Sequence, residues 1–141
     1  MTAVERREVG MAWIAAARGD LDVVRRALLP LPTANVPAAA YHVQQAAEKA
    51  AKALVYANGQ RAERTHSIAR IATAIPDVAL SADAVALDHV SAWVTEARYP
   101  DGAMDDLEES EVREWAERAA AFVFKTSEFV ARIGEEADGR P

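Results

Sequence analysis

Apolar residues recur every three to four positions along most of this chain, and no stretch alternates apolar and polar as a half-buried strand does. Met11, Ile14, Leu21, Val24 and Leu28 mark a first helix from about Val4 to Leu29, which Leu29-Pro-Leu-Pro32 ends. A second helix opens near Pro37, a residue suited to a first turn, and runs to the Asn58-Gly59 cap signal. Thr65 or Ser67 caps a short third helix that stops before Pro76. A fourth is expected after Ser81, with Ala86, Val90, Trp93 and Ala97 on one face, ending before Pro100. After an acidic loop at Asp101–Glu109, a fifth runs from about Ser110 to Ile133, with Val112, Trp115, Ala119, Phe122, Thr126, Phe129 and Ile133 along one face. Short connections between long helices make antiparallel neighbours. The expected fold is all-α: an antiparallel up-and-down bundle of four long helices plus one short helix. It forms a single domain over residues 1–133 with a frayed tail at 134–141.

Composition narrows the class. The chain has 141 residues, 51% hydrophobic and 27% charged, which suits one globular core. Much of the apolar share is alanine, the best helix former, so the helices are expected to pack closely. Arg18, Asp20 and Asp22 interrupt the longest apolar run, leaving no membrane span, and the N-terminus lacks the apolar segment of a signal peptide. With no cysteine there is no disulfide framework, thiol catalysis or thiolate metal site. These features point to the cytoplasm. A net charge of −6 argues against broad nucleic-acid binding, yet Lys49, Lys52, Arg61, Arg64 and Arg70 gather in the middle of the chain, where a local basic pocket can form.

The second helix carries the most chemistry. At 100° per residue, Val43, Ala46, Ala47, Ala50, Leu54 and Ala57 share an apolar arc facing the bundle. The other arc gathers Tyr41, Gln45, Glu48 and Lys52, flanked by Lys49 and Tyr56. An amide, a carboxylate, two lysines and two tyrosines can hold a phosphate and a base edge together. The same pattern also describes a solvated face whose Glu48–Lys52 pair contributes about 0.3–0.5 kcal/mol of helix stability.

Residues 39–54, Ala-Ala-Tyr-His-Val-Gln-Gln-Ala-Ala-Glu-Lys-Ala-Ala-Lys-Ala-Leu, resemble the signature helix of the HEPN family, the higher eukaryotes and prokaryotes nucleotide-binding domain. Trp13 followed by Gly19-Asp20-Leu21 is similar to that family's first helix. Arg64-Thr65-His66-Ser67-Ile68 resembles its Thr-His-Asp-Leu opening of the third helix, with Ser67 where Asp is usual. Glu96-Ala97-Arg98-Tyr99-Pro100-Asp101 resembles its Arg-Tyr-Pro turn. The resemblance spans roughly residues 9–130. It implies a homodimeric bundle that binds a nucleotide or RNA and acts beside a small nucleotidyltransferase, in a pair of toxin–antitoxin type. Lys49, Lys52 and Arg98 would hold phosphate, Tyr41 or Tyr99 would contact a base, and Gln45 and Glu48 would fix orientation.

Other members of the family are ribonucleases with Arg, four to six residues, then His near the end of the bundle. Counting from Arg98, those histidine positions hold Ala103, Met104 and Asp105, so the motif is broken there. Arg61 and His66 have the Arg-x4-His spacing but precede the third helix, so they are weak candidates. In a ribonuclease reading His66 is the general acid or base, and Arg61, Arg64 or Arg98 stabilises the phosphorane. His42 and His89 fit packing or surface roles, and no His-x3-His pair suggests a metal. The acidic loop lacks the alternating ligands of a calcium loop. Trp93 and the Trp115–Phe122–Phe129 stripe are expected in the core or a dimer seam, since three tryptophans and three phenylalanines exceed what one thin bundle hides. A metal or cofactor is not expected. A purely structural dimer module remains the third reading.

Overall fold

The computed structural model describes residues 1–30, 33–96 and 107–135, all helix, turn or loop. Helix α1 spans Ala3–Ala27 and starts on a reciprocal cap: Thr2 Oγ1 accepts from Glu5 N at 3.1 Å, and Thr2 N donates to Glu5 Oε2 at 2.8 Å. Helix α2, Val36–Ala57, is capped by Asn35, whose side chain accepts from Ala38 N at 3.2 Å. Short helices α3 (Ile68–Ala72), α4 (Val78–Ala86) and α5 (Trp93–Glu96) follow, with a 3-10 turn at Asp88–Ala92 between the last two. Helix α6, Glu109–Ala131, closes the bundle.

Helix α2 is the axis of the molecule. It packs against α1, α6, α3, α5 and the 3-10 turn, and its alanines make this possible because a methyl group lets neighbouring backbones approach on several sides. At Gly10, where α1 crosses α2 and α6, a Cβ would fall 2.8 Å from Val130 Cγ1 and 2.9 Å from Ala57 Cβ, so only glycine fits. The expected apolar arc of α2, from Val43 to Ala57, is buried throughout.

The expected bundle is present, but its fourth long helix is not continuous. It starts before Ser81, because Asp77 caps it by accepting from Leu80 N at 2.9 Å. It then breaks into the 3-10 turn for a tertiary reason. Asp88 Oδ1 accepts from Ala69 N at 2.9 Å and Ser91 Oγ accepts from Ile68 N at 3.0 Å, so this turn satisfies the free amides that open α3. Of the face expected for this helix, Val90 and Trp93 are buried and Ala86 is exposed, whereas Ala97, the Arg98-Tyr99-Pro100 turn, residues 101–106 and most of the tail lie outside the described residues.

The aromatic stripe of α6 divides. Phe122 is core, and Trp115 sits between the His89 ring, 4.7 Å away and nearly parallel, and the Arg118 guanidinium at 4.5 Å. Phe129 is 41% exposed, so of the two places expected for this stripe, core or dimer seam, it does not occupy the core. No helix among the described residues is long and apolar enough to cross a membrane.

Candidate functional site

Between Ala39 and Ala57, α2 reaches solvent only through Tyr41, His42, Gln45, Lys49, Lys52 and Tyr56. Their spacing of three and four residues makes one stripe, and every member carries a polar tip. Beneath this stripe two buried carboxylates hold its cations. Glu48, 4% exposed, accepts from Lys52 Nζ through Oε2 at 2.8 Å, and from Gln44 Nε2 through Oε1 at 2.8 Å. His66 Nδ1, arriving from the loop before α3, stands 2.7 Å from the same Oε1. Asp20, 7% exposed on α1, accepts from Lys49 Nζ at 2.8 Å and lies 2.8 Å from His42 Nδ1.

Burial alone pushes the Glu48 carboxyl up. Hydrogen bonds from Lys52, Gln44 and His66, with the Lys52 charge, outweigh that and hold it below the usual carboxylate range. Glu48 is therefore ionised and accepts only, so Nδ1 of His66 carries a proton. In the neutral imidazole the other nitrogen, Nε2, then keeps its lone pair on a side chain that is 56% exposed.

Gln45 joins the cluster indirectly. Its Nε2 donates to Gln44 Oε1 at 2.6 Å, which turns the Gln44 amide so that its nitrogen faces Glu48. A second aromatic layer flanks Lys52: Trp13 of α1 stacks on Tyr56 at 5.2 Å, and Lys52 Nζ lies 5.9 Å from a Trp13 ring centroid. Tyr41 meets the His42 ring edge-on at 5.1 Å.

Of the candidates named from sequence, Glu48, Lys52 and His66 meet directly, Gln45 through Gln44, and Lys49 belongs to the neighbouring Asp20 cluster. Glu48 is not on a solvated face: it is 4% exposed, and His66 of the loop before α3 reaches it from outside α2. Arg61 is exposed and has no part in either cluster. Arg98 and Tyr99 lie outside the described residues. Sequence reasoning missed Gln44 and Asp20 as site members. Gln44 had a signal, four residues before Glu48 and so one turn away on the same side. Asp20 had none in periodicity, because its pairing with Lys49 depends on how α1 crosses α2.

The arrangement offers hydrogen-bond donors in fixed positions. Each lysine has three N–H groups, and the described bonds to carboxylate use one on each. Among the described residues no group of three or more His, Asp and Glu is placed to hold a metal ion. A family model described as the HEPN domain matches residues 11–129. No curated protein and no solved structure matches the chain.

Proposed function

Because this chain belongs to the HEPN domain family, we propose that it is a nucleotide- or RNA-binding accessory domain, of the branch with an Arg-Tyr-Pro turn, acting beside a small nucleotidyltransferase in a pair of toxin–antitoxin type. The observation that supports this is the single polar stripe of α2, its lysines and His42 anchored from below by Asp20 and Glu48, with His66 joining from the loop before α3. Cations held this way lose little side-chain freedom when a phosphate arrives. Lys49 and Lys52 donate to the phosphate, Gln45 and Tyr41 contact the base, and Arg98 and Tyr99 belong to the same reading through the family pattern.

One observation favours a second, structural reading. Lys52 is largely buried and closed onto Glu48 at 2.8 Å, as in an internal salt bridge. Binding and melting measured on the same variants separate the two. With ATP and a short single-stranded RNA as probes, Gln45→Ala and Lys49→Ala are expected to weaken binding by about tenfold or more. If the parent protein binds neither probe while Lys49→Ala melts far below it, the domain is a structural module. RNA cleavage by the purified protein that is lost in His66→Ala would replace both readings with the ribonuclease one. Co-purification from the native host, with both proteins identified by mass, tests the nucleotidyltransferase partner.

A further inference from the structure

Arg6 and Arg7 are neighbours near the start of α1, and their side chains differ in one respect. Arg7 Nη1 donates to Ile133 O at 2.7 Å. The half-buried Arg6 side chain makes no hydrogen bond or ion pair among the described residues, and its Nε is kept from solvent without an acceptor. A donor held this way is costly, so Arg6 stands ready for an anion. It lines a cleft of about 140 Å³ where the start of α1 meets the end of α2, the α3–α4 link and the end of α6. Buried Leu54, Ala57 and Ile75 give the cleft an apolar floor, and the Phe129 ring walls one side. Asp77 lines it too, with Oδ1 committed to Leu80 N at 2.9 Å and no ion pair to Arg6. We propose that this cleft binds a free α-amino acid with a small aliphatic side chain, Arg6 taking its carboxylate and Asp77 its ammonium.

The two charges select the ligand class. Guanidinium and carboxylate share one small cleft without closing on each other, and a zwitterion answers both at once. A simple anion would meet like charge at Asp77, and a simple cation would meet it at Arg6. Size sets the side chain. A cavity of about 150 Å³ holds one benzene ring, so this cleft has room for the branched side chain of valine or leucine and none for an indole. That side chain would lie on Leu54, Ala57 and Ile75 and cover the face of Phe129 that borders the cleft. None of the residues of the α2 stripe lines this cleft, so the proposal holds or fails apart from the reading of that stripe.

Titration of the nitrogen-15-labelled full chain with L-valine, followed by NMR, tests it. Valine is expected to shift the amides of Asn58 and Asp77 saturably, in the millimolar range that so small a ligand reaches. It should also raise the melting temperature, because it ties α1, α2, the α3–α4 link and α6 together. Isovalerate lacks the ammonium and isobutylamine lacks the carboxylate, so each should bind at least about tenfold more weakly than valine. Arg6→Gln should weaken valine and isovalerate alike by about tenfold or more. Asp77→Asn, which keeps an N-cap for α4, should weaken valine and leave isovalerate bound at least as well. The absence of a saturable shift at Asn58 and Asp77 overturns the proposal. So does isovalerate or isobutylamine binding as tightly as valine, or Arg6→Gln binding valine as the parent does.

Discussion

Glu48 is a charge in an alanine-lined interior, and it remains ionised because Lys52, Gln44 and His66 all turn toward it. Removing the carboxylate strands Lys52, whose side chain is only 16% exposed. Glu48→Ala should therefore cost roughly 3–5 kcal/mol, read as a lowered denaturant midpoint, with Glu48→Gln costing less because the amide keeps the shape and part of the bonding. The pH dependence has a definite sign. The folded-state pKa lies below that of an ordinary glutamate, so the unfolded chain takes up a proton first as pH falls. The stability that Glu48 supplies is present above about pH 4.5 and is lost as pH drops through the lower folded value. The Glu48→Gln variant should show a shallower loss of melting temperature between pH 5 and pH 3 than the parent; equal slopes would mean that other groups carry the acid sensitivity. Much of this cluster was legible in sequence, since Glu48 and Lys52 lie one helical turn apart and His66 stood out in its motif. That Glu48 is buried was not, because the group that reaches it from outside its own helix, His66 of the loop before α3, does so only once the chain is folded.

The long helices announce themselves through their ends. Pro37 marks the opening of α2 in the sequence and the fold keeps it, with Asn35 as the cap; Thr2 with Glu5 caps α1, a local pair that the apolar periodicity did not single out. The break at Asp88–Ala92 has no comparable signal. Its reason is three-dimensional, the bonds from Ile68 N and Ala69 N that Ser91 and Asp88 accept, and a periodicity of apolar residues runs straight through it. Glycines in α1 show the same division between local and tertiary causes. Gly10 and Gly19 both lower helix propensity, yet only Gly10 has neighbours inside contact distance. Gly19→Ala should stabilise by about 0.5–1 kcal/mol, the ordinary gain at an exposed helix position. Gly10→Ala meets Ala57 Cβ at 2.9 Å on a helix that cannot step aside, so overpacking of about 1–3 kcal/mol outweighs the propensity gain. Thermal melts of the two variants should move in opposite directions, and a stabilised Gly10→Ala would show that α1 can shift away from α2 and α6 at little cost.

Across the whole molecule, fold class followed from sequence because helical periodicity, alanine content and proline punctuation all agree; the placement of one helix at the centre did not. A helix that borders α1, α3, α5 and α6 has no partial opening that frees it alone. Amide protons in the middle of α2 can reach solvent deuterium only when the entire bundle comes apart, whereas those of α3 can exchange after a smaller excursion that detaches Asp88 and Ser91. Hydrogen exchange followed by NMR should therefore place the slowest amides between Ala46 and Val55, their exchange free energy equal to that of global unfolding. Asp88→Ala should accelerate the amides that open α3 far more than those of α2. Uniform acceleration would mean that the bundle opens as one unit. The alanine-rich helix that lets its neighbours come close thus also sets the clock by which the protein as a whole is seen to breathe.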